Sequence, residues 1–76
     1  MLLDVCILNP KEIIFEGKAQ RVSLPGERGI FEVLPFHKRI LSRLVCGTLL
    51  IDAQSIPIKR GIARVELNKV TVIVEQ

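Results

Sequence analysis

The residues with the most chemical potential lie in one stretch of the chain, SLPGERGIFEVLPFH, from Ser23 to His37. It contains the only histidine together with three charged residues and two each of proline, glycine and phenylalanine. Nucleophilic catalysis needs a serine or cysteine beside a base that a third group orients. Glu32 is the only carboxylate near His37 that could orient it, and the adjacent Lys38 and Arg39 oppose its protonation. The stretch therefore predicts no catalytic site.

Metal and cofactor sites are not predicted either. One histidine and two separated cysteines, Cys6 and Cys46, do not make a structural zinc set. The segment LPGERG, which contains Gly26 and Gly29, lacks the lysine and the hydroxyl residue of a phosphate-binding loop. Tight turns therefore explain these glycines better. Because each cysteine lies in an apolar run, we expect buried free thiols, and a disulfide between them stays open.

The excess of positive charge lies in the second half of the chain. The net charge is +3, and from His37 onward seven basic residues face three acidic ones. The basic residues form two clusters: Lys38, Arg39 and Arg43, and Lys59, Arg60 and Arg64. Single-stranded nucleic acid binding would also need aromatic stacking platforms, but we expect Phe15 and Phe31 in the core and only Phe36 exposed. The clusters could therefore meet an acidic protein or, on a small β-barrel, nucleic acid, although such charges more often form a solvated face.

The elements that must position these residues are predicted to be strands. Apolar and other residues alternate in LLDVCIL and in KVTVIVEQ, and KAQRVSL places Ala19, Arg21 and Ser23 opposite Gln20, Val22 and Leu24. Turn signals recur about every 8 to 12 residues, which is typical of an all-β sandwich or barrel. The segment HKRILSRLV is either a single helical turn or a bent strand.

Three sites with turn-forming or strand-breaking residues give more specific expectations. Pro25-Gly26 suits the centre of a type II turn, because proline fixes φ and glycine accepts a positive φ. Asn68-Lys69 is predicted to be a two-residue hairpin turn. Pro57 cannot donate to a sheet ladder, so its strand is expected at an edge.

The length of 76 residues predicts a single domain, residues 1–76, with a thin core. A chain of this size gains useful stability from a partner, so we expect it to work within something larger. No apolar run is long enough to cross a bilayer, and the N-terminus lacks the pattern of a secretory signal. The sequence thus predicts a soluble intracellular protein.

Taken in order, the motifs ILNP, FEG, VSLPGERGIFEVLPFHKRIL, CGTLLI and GIARVELNKVTVIVE resemble the N-terminal domain of the epsilon subunit of F-type ATP synthases. The resemblance covers almost the whole chain. It implies a small antiparallel β-sandwich or flattened barrel. It also implies a rotor subunit of the central stalk that has no catalytic residues or cofactor of its own.

The resemblance further implies two partners, the gamma subunit and the polar loops of the c-ring. Through them such a subunit couples proton or sodium-ion flow to ATP synthesis or hydrolysis, in the cytoplasm and peripheral to the membrane. Carried over by position, the gamma-facing candidates are Asn9, His37 and Leu41. The ring-facing candidates lie in the loop from Glu27 to Glu32, which includes Ile30. A weak homo-oligomer of the isolated protein, or a free regulatory paralogue, stays open.

Several residues depart from the family pattern. Glu32 and Phe36 replace glycines, Arg60 stands where a second glycine is usual, and Ile30 stands where an acidic residue is frequent. Because phenylalanine disfavours a positive φ, the turn before His37 must differ or carry strain, and Phe36 joins the contact candidates. If Gln76 is the natural end, the inhibitory C-terminal helices of the family and their ATP site are not expected.

Overall fold

The computed structural model describes residues 2–36 and 38–76, and these residues form nine strands. The segment HKRILSRLV contributes a strand, the second of the two structures expected for it. The strands are β1 Leu3–Leu8, β2 Ile13–Ala19, β3 Val22–Gly26, β4 Gly29–Val33, β5 Ile40–Leu44, β6 Gly47–Ile51, β7 Gln54–Ile58, β8 Arg60–Glu66 and β9 Lys69–Glu75.

One curled sheet contains all of these strands, and it divides into a larger and a smaller layer. The larger layer has the order β2-β1-β9-β8-β5, and the smaller layer has the order β4-β3-β6-β7. The strands β5 and β6 run in succession along β3, pairing with it at Gly26↔Leu44 and at Val22↔Ile51. The layers are therefore joined where the chain bends between β5 and β6. The pair β1–β9 is parallel, and the other pairs are antiparallel.

The core lies between the two layers, and the predicted alternation supplies it. Val70, Val72 and Val74 of β9 point inward, while Ile73 points outward. Leu3, Val5 and Ile7 do the same on β1, and the smaller layer contributes Leu24, Leu49 and Ile56. β-branched side chains pack well on such a pleated surface, so pattern and propensity agree. The all-β prediction is confirmed, and the expected core positions of Phe15 and Phe31 are only partly buried.

The prediction of a turn at Pro25-Gly26 is wrong, because both residues belong to β3. The turn consists of Glu27 and Arg28, and it is followed by Gly29, whose φ of 125° suits glycine. Pro25 is tolerated inside the strand because it lies where β5 gives way to β6, and its carbonyl accepts a hydrogen bond from the Val45 amide at 2.9 Å.

The second hairpin turn lies one residue earlier than predicted. Glu66 pairs with Lys69, so Leu67 and Asn68 form the turn, with φ values of 49° and 61°. Two consecutive positive φ values are the conformation of a type I′ turn, which matches the twist of the flanking strands. Asparagine adopts this conformation readily, whereas Leu67 adopts it against its preference.

The expected alternation through KAQRVSL is confirmed from Val22 to Leu24 on β3. Before that it is wrong, since the chain turns at Gln20 and Arg21 between β2 and β3. The carboxylate of Asp52 accepts hydrogen bonds from both of these backbone amides, at 3.0 and 3.1 Å. Ala19 and Val22, on either side of the turn, are both buried. A side chain distant in sequence thus stabilises this change of direction.

Other predictions have mixed outcomes. Pro57 lies on β7 at the end of the sheet order, which confirms the edge position. Both cysteines are free, but Cys6 is half-buried and Cys46 is exposed, so the prediction of two buried thiols is wrong. Cys46 lies in the bend between β5 and β6, where the side chain points away from the core. The part of the chain described here contains no helix that is long and apolar enough to cross a membrane.

Candidate docking surface

The outer face of the larger layer carries a row of apolar side chains across four neighbouring strands. The registers place Ile13 beside Leu8, Leu8 beside Ile73, and Ile73 beside Ile62. Ile13, Ile62 and Ile73 each expose at least half of their surface, at 57%, 52% and 51%. Alternation directs the valines of β9 inward, so Ile73 must point to solvent. We call Leu8, Ile13, Ile62 and Ile73 the outer apolar row.

A close approach between β8 and β9 supports this row. A side chain added at Gly61 would place its Cβ 2.5 Å from the Ile73 carbonyl oxygen. The glycine therefore allows Ile62 and Ile73 to lie side by side on the outer face. An open groove of about 410 Å³ runs along these two residues and is bordered by Arg60 and Glu75.

Two of the gamma-facing candidates lie on or beside the same face. Leu41 of β5 is 76% exposed and is paired with Arg64, on the outward side of β8. Asn9 directly follows Leu8, but its side-chain oxygen accepts the amides of Lys11 and Glu12, both at 2.8 Å. Asn9 therefore shapes the turn after β1. His37, the third candidate, lies outside the described residues.

The ring-facing candidates belong to the β3–β4 hairpin. Glu27 is in the hairpin turn, and Ile30 is 78% exposed on β4. These two residues line an open groove of about 570 Å³ together with Leu41 of β5. Glu32 points outward farther along β4 and is absent from this groove. The structure thus brings Glu27, Ile30 and Leu41 together, and it separates them from Asn9 and Phe36.

Phe36 adopts a strained conformation, which is one of the two outcomes that the sequence left open. Its φ is 67°, in the left-handed region that phenylalanine disfavours, and its side chain is 76% exposed. The Phe36 amide donates a hydrogen bond to Oδ1 of Asn68 at 2.6 Å. The conformation is therefore held by the β8–β9 turn rather than by packing of the aromatic ring.

Ion pairs reduce the free positive charge of the two basic clusters. Glu66 lies 3.4 Å from Arg39 and 3.3 Å from Arg64, and Arg60 binds Glu75 at 2.9 Å. The hydrogen bonds between Arg60 and Glu75 lower the pKa of the Glu75 carboxyl and raise that of the Arg60 guanidinium. Phe15 and Phe31 are partly buried, so a continuous basic groove with aromatic platforms is not favoured here.

The outer apolar row cannot be recognised from the sequence alone. Leu8, Ile62 and Ile73 were not named as candidates, although the alternation of β9 already directs Ile73 outward. The sequence does not reveal the register between strands, and only the pairing of the strands shows that these three residues are neighbours. Within residues 2–36 and 38–76, no group of three histidine, cysteine, aspartate or glutamate side chains is placed to hold a metal ion.

Residues 2–76 match the family model for the β-sandwich domain of the ATP synthase delta/epsilon chain. Among curated proteins, the ATP synthase epsilon chain of Sulfurimonas denitrificans is 38% identical over 78 residues, which cover 96% of this chain and 60% of the relative. The epsilon chain of Nitratiruptor sp. is 39% identical with the same coverage. The chain thus spans about six-tenths of the length of these relatives.

Solved structures show the same fold. A chain in the central stalk and c-ring structure of the Tetrahymena thermophila mitochondrial ATP synthase superposes with a TM-score of 0.81 at 13% identity, covering 97% of this chain and 63% of that one. A chain of the Euglena gracilis mitochondrial ATP synthase gives a TM-score of 0.89 at 17% identity, with coverage of 99% and 51%.

Proposed function

Because the chain belongs to the family of ATP synthase delta/epsilon β-sandwich domains, we propose that it is a non-catalytic subunit of the central stalk of a rotary ATP synthase. It docks on the gamma subunit through the outer face of its larger layer, and it faces the c-ring through the β3–β4 hairpin. In this position it transmits rotation between the ring, driven by proton or sodium-ion flow, and the shaft. The protein is then peripheral to the membrane and reaches it through its partners.

The observation that carries this proposal is the outer apolar row with Leu41 beside it. Removing apolar surface from water is favourable by about 25 cal/mol for each Å² that is buried. Three isoleucines and Leu41, each exposing more than half of their surface on one face, therefore favour a partner that covers them. The mixed rim of Arg60, Glu75 and Arg64 is typical of a protein interface, which has an apolar centre and a polar edge.

The proximity of Leu41 to the hairpin supports two simultaneous contacts. Leu41 lines one groove with Glu27 and Ile30, so one gamma-facing candidate and two ring-facing candidates share a continuous surface. A rigid sheet that presents short loops loses little conformational entropy when it docks. Such a domain fits the junction between a shaft and a ring.

The proposal is tested with the variant Leu41→Asp in the cognate complex. Placing a carboxylate at the centre of an apolar contact should weaken binding to the gamma subunit at least tenfold, because the charge must be desolvated without a partner. The measurement is co-purification of the tagged subunit with gamma and the c-ring, followed by titration against purified gamma. The matched control is Leu50→Asp, which replaces an exposed leucine on the outer face of the smaller layer.

Three outcomes are distinguishable. Loss of gamma in Leu41→Asp with retention in Leu50→Asp supports the proposed face. If both variants still bind gamma, the proposed face is wrong, although the protein still belongs to the complex. If the unmodified protein does not co-purify with gamma, the rotor assignment itself is wrong, and a free regulatory role replaces it.

A further inference from the structure

We infer that Phe36 and Leu67 form a preorganised apolar anchor, which inserts into an apolar pocket with an acidic rim on the partner protein. The inference rests on the proposed function in one respect, since it takes that partner to be the gamma subunit. The anchor is separate from the outer apolar row, because it is built from two loops rather than from the face of the sheet.

The first argument is backbone conformation. Phe36 and Leu67 have φ values of 67° and 49°, in the left-handed region that bulky side chains avoid. Left-handed conformations at non-glycine residues persist only where the surrounding structure enforces them, and they concentrate at functional sites. The type I′ turn between β8 and β9 requires the positive φ of Leu67, but not so bulky a residue there. Phe36 lies between β4 and β5, which do not pair, so its φ needs a separate explanation.

The second argument is that the anchor is held rigidly. Oδ1 of Asn68 accepts the Phe36 amide at 2.6 Å, and the Asn68 carbonyl accepts the amide of Asp4 on β1 at 2.8 Å. Asn68 thus links the loop that follows β4 to the β8–β9 turn and to the sheet. An aromatic residue fixed in this way loses little entropy on binding, which is a property of interface hot spots.

The third argument is exposure. Leu67 is 89% exposed and Phe36 is 76% exposed, so neither side chain offsets its backbone strain by packing against the core. Both would bury apolar area only against another molecule. The presence of large apolar side chains at these two strained positions is therefore explained if both are presented to a partner.

The fourth argument is the charge around the anchor, which specifies the chemistry of the pocket. Arg39 and Arg64 share Glu66 as their acidic partner, at 3.4 and 3.3 Å, and the side chain of Lys69 lines the same depression as Leu67. Asp4 also lines this depression, but it forms an ion pair with Lys18, and the three basic residues outnumber Asp4 and Glu66. An acidic rim on the partner is therefore complementary. Two apolar side chains on neighbouring loops suit a pocket better than a lipid surface, which takes a broad apolar face.

The experiment compares Phe36→Ala and Phe36→Gly in binding and in stability. Both variants remove the ring, so both should weaken binding to purified gamma at least tenfold, while Phe36→Tyr should stay within about threefold. Only Phe36→Gly relieves the positive φ, so it should melt at a higher temperature than Phe36→Ala. The control is Leu50→Ala, an exposed leucine on the smaller layer, which should bind as the unmodified protein does.

Each contrary result overturns a specific part of the inference. Unchanged affinity in Phe36→Ala excludes the anchor while the unmodified protein still binds gamma, so the proposed function survives. Equal melting temperatures for the alanine and glycine variants exclude backbone strain at Phe36. If the unmodified protein fails to bind gamma, both the function and the assigned partner are wrong.

Two further measurements test the chemistry of the pocket. Affinity for gamma should decrease as the salt concentration rises, because screening weakens the attraction between the basic surround and an acidic rim. An affinity independent of salt would contradict that rim. Vesicles of phosphatidylcholine containing phosphatidylglycerol should not bind the protein, and Phe36-dependent binding to them would assign the anchor to a membrane.

Discussion

The outer faces of the two layers differ, although their inner faces are alike. On the larger layer one row across the strands consists of Ile13, Leu8, Ile73 and Ile62. On the smaller layer the corresponding row consists of Glu32, Ser23, Leu50 and Ser55. On β5, Arg43 continues the row of the larger layer beside Ile62. That row is thus apolar on four of its five strands, whereas the row of the smaller layer contains a single apolar residue. Both layers bury aliphatic side chains on the inside.

This difference distinguishes the residues that stabilise the fold from the residues that are available to bind a partner. The inner faces are needed for the chain to fold, so both layers must be apolar there. The outer faces are not needed for folding, and a mostly polar row such as the one on the smaller layer is usual on the solvated side of a sheet. The apolar outer row of the larger layer is therefore better explained by a partner than by the fold.

The largest expected effect tests the equivalence of the inner faces. Ile7→Ala in the larger layer and Leu49→Ala in the smaller layer should each lower the free energy of unfolding by about 2–5 kcal/mol. Both side chains are completely buried, so each truncation loses transfer free energy and leaves a cavity. Urea denaturation measures the loss. A cost confined to one layer would show that the layers do not share one core.

The next effect tests the difference between the outer faces. Ile73→Lys should weaken binding to the gamma subunit at least tenfold, since the ammonium would be desolvated at the centre of the proposed contact. The same change on the smaller layer, Leu50→Lys, should leave the affinity unchanged. Both residues are about half exposed, so neither variant should unfold. Equal losses of affinity in the two variants would remove the distinction between the faces.

The smallest effect concerns the ion pair that borders the outer apolar row. Arg60 donates hydrogen bonds to Glu75 at 2.9 and 3.3 Å and lowers the pKa of its carboxyl. A carboxyl group whose pKa is lower in the folded state stabilises the fold at pH values above its pKa in the unfolded state. This stabilisation is lost as the pH falls through the pKa of the folded state. Glu75→Gln should therefore melt slightly below the unmodified protein at neutral pH, and the gap should close in acid. A gap that persists in acid would show that packing, not charge, is lost.

The sequence predicted the strands well where a single strand has one buried face. The alternation of Val70, Val72 and Val74 needs only local information, because successive side chains of a strand point to opposite sides. The turn signals were less reliable. Pro25 and Gly26 have the residue types of a turn, but β3 continues through them because its pairing with β4 extends to Gly26↔Gly29.

Of the predicted contact residues, most remain predictions whose placement is now known. Leu41 and Ile30 are exposed and share a groove, Asn9 shapes a turn, and Glu32 stands apart on β4. Strain at Phe36 was one of two outcomes that the sequence left open, and the φ of 67° decides between them. Its bond to Asn68 could not be predicted, because 32 positions separate the two residues.

The sequence by itself determined the strand faces, the all-β class and, through its motifs, the family. These depend on residue type and short-range spacing, since the period of a strand is fixed by its backbone geometry. The tertiary structure alone decided which outward residues become neighbours. Strand register sets that choice, so the apolar row of Leu8, Ile13, Ile62 and Ile73 exists only once β2, β1, β9 and β8 are paired.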